Sequence, residues 1–211
     1  MHVVAFNGSP HQEGNTHLAL RMVCSELEQA GITTEEVQVG GSTIRGCTAC
    51  GQCAKNRNEQ CVLPGDMAND WIQKMKHADG ILLGSPVHFA GMGGTMKSFL
   101  DRAFFVSGVN NNLFRHKVGA AVVAVRRSGG LPAFEQLNNY LLYSEMLLPT
   151  ANYWNVIHGM RPGEVVQDEE GSQIMRVLGR NMAWLMKLAS QGSATILPPP
   201  QEVKLYTNFV R

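Results

Sequence analysis

Charge is scarce in this sequence and nearly balanced: charged residues make up 17% of the chain and the formal net charge is +1. Nucleic-acid binders gather a basic excess on one face, so no nucleic-acid partner is expected. Long apolar runs are missing too. None reaches the roughly 18 residues that a spanning helix needs, so no membrane partner is expected either. The opening stretch, MHVVAFNGSP, has neither the basic start nor the longer apolar core of an export signal. The expected location is therefore the reducing cytoplasm, where disulfides are uncommon. Neither H-E-x-x-H nor G-x-S-x-G occurs, and no carboxylates are paired for acid–base work, so a general acid–base triad is not expected. The absence of G-K-[ST] argues against a nucleoside-triphosphatase loop, and the absence of G-x-G-x-x-G against a dinucleotide fingerprint. Cysteine is also rare, with five in the chain, yet four of them fall in GCTACGQCAKNRNEQC, residues 46–61.

What is present is alternation. Hydrophobic residues make up 44% of 211, enough for one sizeable core. Short apolar runs at 2–6, 33–40, 80–87, 117–125 and 153–159 read as strands. Amphipathic stretches at 15–31, 66–79, 94–105, 133–147 and 169–189 read as helices between them. Five strands alternating with five helices predict an α/β fold, a doubly wound parallel sheet with helices on both faces. One domain is expected over residues 1–190, with the cysteine-rich loop 46–61 inside it; 191–211, Pro-rich and irregular, reads as a tail lying on a neighbouring subunit. Ligands of such sheets bind beyond the carboxyl ends of the strands, where strand order reverses. The informative residues should then follow the first, third and fourth strands.

After the first strand comes NGSPHQEGNTH. A small-residue turn opens a helix there, so free N–H groups and the positive helix end face whatever docks. Ser9, Asn15 and Thr16 add short polar groups able to bond phosphate oxygens without a full charge. The competing reading is local: Asn15 caps the helix and Ser9 makes a turn. GSPVHF follows the third strand and RRSGG the fourth. Pro86 sets a rigid corner, and Val87, His88 and Phe89 then offer backbone donors and flat apolar surface, the combination a flavin ring needs. Glycines beside Arg126 and Arg127, Gly129 among them, let the chain come close to a ligand edge, and a nearby positive charge favours an anionic reduced flavin. The local alternatives are a core Phe89 and a surface His88.

Together, FNGSPHQEGNT, GSPVHF with GTMKSFLDR downstream, and GCTACGQC…C resemble the NADPH-dependent FMN reductase-like branch of the flavodoxin-like fold, and within it the iron–sulfur flavoproteins. The resemblance covers about residues 1–130. It implies a five-stranded parallel sheet in the order 2-1-3-4-5. It implies an FMN phosphate on Ser9, Pro10, Asn15 and Thr16, and a flavin ring beside Ser85, Pro86, Val87, His88 and Phe89, with Arg126, Arg127 and Gly129 near its edge. It further implies NAD(P)H as co-substrate and a homodimer or homotetramer. Family members often carry tyrosine at the position of His88 and an acidic pair where only Asp66 stands here.

The cysteines read C-x2-C-x2-C-x7-C: Cys47, Cys50, Cys53 and Cys61. Spacing leaves three readings open: an iron–sulfur cluster, free or redox-paired thiols, or a structural zinc. The resemblance implies a [4Fe–4S] cluster on these four positions. Following the second strand, they are expected at the same carboxyl end as the flavin. Cys24, on the first helix, reads as core, as do Met92, Met96, Met182 and Met186 (or as interface filler), and Trp184 reads as a subunit contact. In KSFLDR, Lys97, Asp101 and Arg102 have spacings that can pair along one helix face, open to a partner or to solvent. The expected activity is an FMN-dependent oxidoreductase moving electrons between NAD(P)H or a reduced carrier and a small-molecule or ferredoxin-like acceptor. The alternatives are a cluster-free NAD(P)H:quinone or FMN reductase and a non-enzymatic flavin electron carrier.

Overall fold

The computed structural model describes residues 1–207 and Phe209. In chain order the elements are β1 (His2–Asn7), α1 (Asn15–Gln29), β2 (Thr33–Gln38), α2 (Gln52–Asn56), α3 (Ala68–His77), β3 (Gly80–His88), β4 (Gly91–Met92), α4 (Gly94–Val109), β5 (Val118–Val125), α5 (Gly130–Tyr143), β6 (Val156–His158), a 3-10 turn (Glu164–Gln167) and α6 (Glu169–Ser193). The sheet runs β2-β1-β3-β5-β6, every neighbouring pair parallel. Counting only these five strands, that is the expected order 2-1-3-4-5.

Strand period decides which face each residue serves. Val4, Phe6, Ile81, Leu83, Ala121 and Val123 enter one apolar layer with α3, α4 and α5. Their alternates, Val3, Ala5, Leu82, Ala120, Val122 and Ala124, enter the other with α1 and α6. β5 is buried at every position, as a central parallel strand must be. β2, TTEEVQ, buries only Val37 and lies at the edge, as its polarity predicts. Met92, Met96, Met182, Met186 and Cys24 are core residues, and burial pushes the Cys24 thiol up to about 11.

Three local expectations change. The loop after β3 contains a further short strand, β4, antiparallel to β3. The fifth expected strand shrinks to three residues because Asn155 takes over the edge of β5, with Nδ2 donating to the Ala121 carbonyl (3.0 Å) and its own carbonyl accepting from the Val123 N–H (3.0 Å). The last helix reaches Ser193, past residue 190. Beyond it the described residues form no helix or strand, and the tail's Asn208, Val210 and Arg211 lie outside the described residues. Among the described residues, no helix is long and apolar enough to cross a membrane.

Candidate functional site

In a parallel doubly wound sheet, the helices start at the carboxyl end of the strands. α1, α4 and α5 therefore direct their N-termini to one rim. All three begin on glycine caps (Gly14, Gly93 and Gly129) with no side-chain cap and no acidic residue in the first turn. By contrast, α6 is capped by Asp168, which accepts from the Gly171 N–H at 2.8 Å, and Glu169 and Glu170 follow in its first turn. The unneutralised N–H groups and positive ends of the first three helices suit an anion, whereas α6 has supplied its own.

Side chains of β1 and β2 hold the β1–α1 loop through hydrogen bonds. Asn7 is fully buried. Its Oδ1 accepts from the Ser9 N–H (3.0 Å), and its Nδ2 donates to Glu36 Oε1 (3.1 Å). Glu36 also faces His17 Nδ1 at 2.9 Å. Gln38 Nε2 donates to the carbonyls of Ser9 (2.6 Å) and Gly40 (2.7 Å). Ser9 Oγ accepts from the His11 N–H (3.1 Å), which leaves the hydroxyl's own hydrogen to give outward. Thr16 is buried at the helix start and Pro10 is exposed. Asn15 behaves differently from both sequence readings. Its Nδ2 donates to the Arg161 carbonyl (2.9 Å) and its Oδ1 accepts from the Gly163 N–H (2.9 Å). The side chain neither caps α1 nor stands free; it pins the loop after β6 to the helix, and position 15 offers its backbone N–H.

The second rim segment is a two-residue hairpin. Val87 pairs with Met92 and His88 with Gly91, leaving Phe89 and Ala90 as the turn. Both sit in the left-handed region, φ 48° and 59°, as a type I′ turn requires and as Asn-Gly normally supplies. Phe89 is fully exposed, so the core reading is overturned. Ser85, expected near the ring, is wholly buried; its Oγ accepts from the Gly93 N–H (2.9 Å) and donates to the Pro86 carbonyl (2.8 Å). It locks the hairpin base to the start of α4 and presents no side chain to the rim. Pro86 and Val87 are half-buried, while His88, Arg126 and Arg127 are exposed. Gly129, at φ 86°, has no room for a side chain, since a Cβ there would lie 2.9 Å from Ala90 Cα. The β5–α5 turn thus rests against the hairpin. Sequence reading passed over Tyr153 and Trp154, an exposed edge-to-face pair with ring centres 4.4 Å apart. They line a cleft with Arg127, Gly129 and His158.

Two strained residues at an exposed tip point to a constrained role. Replacing Phe89-Ala90 by Asn-Gly is expected to raise stability by about 1–3 kcal/mol, the strain of such backbone positions, while slowing turnover. Denaturant unfolding and steady-state rates check this; a loss of stability would show that the turn is unstrained.

All four cysteines of the 46–61 stretch line one small hollow, closed by Arg102, Phe105 and Val106 of α4. Cys47 and Cys50 are exposed, Cys61 is half-buried and Cys53 is buried, and burial pushes the Cys53 thiol up. The loop winds tightly enough through left-handed backbone at Ala49, Gly51, Arg57 and Glu59. The root of the loop is at the rim, where Gly40 and Gly41 pack against Ser9 and Pro10. The thiols themselves line a hollow against Arg102, Phe105 and Val106, eight to twelve residues into α4.

Arg102 helps to close this hollow, and it corrects one expectation. Lys97 and Asp101 pair on the surface at 2.9 Å as expected, but Arg102 is turned about 100° further round the helix and faces inward. Its side chain is 0% exposed and that of its partner Asp66 is 4% exposed. Burial alone would raise the Asp66 carboxyl; the Arg102 hydrogen bond and the Ala68 and Arg45 N–H groups outweigh that and hold it below the usual carboxylate value. Arg102 also donates Nε–H to Cys61 Sγ (3.3 Å), Nη1–H to the Arg45 carbonyl (3.3 Å) and Nη2–H to the Leu63 carbonyl (3.1 Å). Asn69 holds the Cys61 backbone from the other side, at 2.8 and 2.9 Å.

A five-stranded sheet in the order 2-1-3-4-5, with its open helix ends gathered at the carboxyl rim, defines a flavodoxin-like α/β protein. The chain belongs to the NADPH-dependent FMN reductase family, whose model matches residues 1–160, and it is a flavin oxidoreductase of that family. It is 34% identical over 195 residues to an iron–sulfur flavoprotein of Methanocaldococcus jannaschii, covering 89% of this chain and 98% of that one. Among solved structures, an NAD(P)H:quinone oxidoreductase from Methanothermobacter marburgensis superposes with a TM-score of 0.64 at 16% identity, over 86% of this chain and 96% of the other. A flavodoxin from the domain Archaea gives 0.57 at 14% identity, over 89% and 99%. These two likenesses concern the fold.

Proposed function

We propose that the chain holds FMN at the carboxyl rim, accepts hydride from NAD(P)H there, and carries a [4Fe–4S] cluster on Cys47, Cys50, Cys53 and Cys61. The observation that carries this reading is the convergence of four thiols on one hollow in a chain whose rim helices are left uncapped. The backbone N–H groups of Asn15, Thr16 and His17 and the Ser9 hydroxyl would take the phosphate. Pro86, Val87, His88 and Phe89 would border the ring on one side and Arg126, Arg127 and Gly129 on the other.

FMN supplies two-electron hydride chemistry when bound, and a cubane cluster supplies one-electron transfer. The residues bind and orient. Asn7 and Gln38 preset the phosphate loop, and Ser85 and Gly129 fix the hairpin against the β5–α5 turn. Arg126 and Arg127 favour negative charge near the ring. The donor set fits the cluster: four cysteines on one hollow, buried behind by a guanidinium and apolar side chains. Among the described residues no three Cys, His, Asp or Glu side chains close on one metal ion, so a cluster, like a tetrahedral zinc, would draw the four thiols inward. The electron partner is proposed to be a small molecule or ferredoxin-like carrier, and the assembly a homo-oligomer in a reducing cytoplasm.

Oxygen-free purification is expected to yield a yellow-brown protein with flavin, iron and acid-labile sulfide. Cys50→Ser should lose iron and sulfide and keep flavin. Full iron and sulfide in that variant would overturn the ligand assignment, and wild-type protein with flavin but neither iron nor sulfide would favour the cluster-free reductase.

A further inference from the structure

We propose that Arg102 is the positioning residue of the cysteine loop, clasping both of its ends and setting the reduction potential of the group the loop carries through an N–H bond to the Cys61 sulfur. This rests on the cluster reading above and adds to it a residue outside the cysteine motif.

The geometry is specific to a guanidinium. One side chain reaches the backbone just before Cys47 (the Arg45 carbonyl), the backbone just after Cys61 (the Leu63 carbonyl), the Asp66 carboxylate and the Cys61 sulfur. The fork of Nε, Nη1 and Nη2 serves these directions at once, and a lysine ammonium on a flexible stem cannot. The clasp is rooted in the middle of α4 and wholly enclosed, so it cannot be exchanged for water without opening the loop. Of the four cysteines, Cys61 alone receives this donor among the described residues, and its backbone is held on both sides by Asn69. Cys61 is therefore the fixed point on which Cys47, Cys50 and Cys53 close.

The electronic consequence follows from charge. Reduction of a cluster adds one electron and no proton, so the reduced state is one charge more negative. A buried N–H donor and a fixed positive charge on one ligand sulfur stabilise that state and raise the potential. The electron comes from the reduced flavin of the same activity.

The test uses the full chain, purified without oxygen, as wild type, Arg102→Lys and Arg102→Gln, with flavin content as the check on folding. In protein freed of iron, trypsin is expected to cut at Lys55 and Arg57 at least tenfold faster in both variants; wild-type rates would overturn the clasp. In iron-loaded protein, redox titration followed by electron paramagnetic resonance is expected to show Arg102→Lys shifted at least tenfold toward the oxidised form in the one-electron equilibrium, about 59 mV lower, with an altered spectrum. An unchanged potential and spectrum in Arg102→Lys, or a shift in Arg102→Gln alone, would overturn the sulfur bond, because charge without the fork would then suffice. Wild-type protein that takes up no iron and sulfide would sink the cluster reading and the tuning with it, while the trypsin arm reads the clasp separately.

Discussion

Asp66→Ala is expected to destabilise the protein by about 3–5 kcal/mol, the cost of leaving one member of a buried ion pair uncompensated. For a chain of this size that is a fall in melting temperature of about 6–20 °C. The magnitude follows from burial. At 0% and 4% side-chain exposure, Arg102 and Asp66 cannot fall back on water. The pair also has a pH signature. The Asp66 pKa is depressed on folding, so its contribution is fully present above the ordinary value of 3.8 and is lost as pH falls through the lower folded value. Wild-type protein should lose stability on acidification across that window, and Asp66→Asn should lose less. Thermal unfolding between neutral and strongly acidic pH measures both. A loss under about 1 kcal/mol, the range of exposed pairs, would mean that the pair is solvated and the clasp is open.

Gly40→Ala should fail to hold flavin. A Cβ at this position would lie 2.1 Å from both the carbonyl carbon and the oxygen of Ser9, and 2.6 Å from the carbonyl carbon of Gly8. These are backbone atoms, so no change of rotamer relieves the clash; the phosphate loop itself must move. Overpacking of this kind costs about 1–3 kcal/mol or more, and flavin affinity should fall at least tenfold, equivalent to about 1.4 kcal/mol. Gly41→Ala is the control. It incurs the penalty of a positive φ of 81°, but its nearest neighbour would be 3.6 Å away. Flavin titration by fluorescence separates the two. Wild-type affinity in Gly40→Ala would mean that the turn after β2 does not set the loop.

Local pattern carried much of the fold. The continuous apolar runs in HVVAF and KVGAAVVAV and the polar TTEEVQ place β1, β5 and β2 at inner and edge positions, because a parallel strand covered on both faces is apolar at consecutive positions and an edge strand is not. The rim segments were legible for a related reason: glycine, proline and short polar residues follow strands where the chain must turn. Other roles were not legible. Asn15 looks like a cap or a phosphate ligand, and the structure spends both ends of its amide on residues near position 160. Phe89 reads from the sequence as flat surface for a flavin ring with core as the local alternative, and the pairing of His88 with Gly91 turns it outward and excludes the core.

What the sequence determined by itself was the strand order's raw material, the rim loops and the grouping of four thiols in one loop. Only the tertiary structure decided that those thiols lie along α4 and that Arg102 faces inward to hold them. Spacing along the chain encodes neighbours within a turn or a strand pair. The contacts that place Arg102 span 36 and 41 residues, and burial of its charge becomes favourable only once the loop, Asp66 and α4 have closed around it.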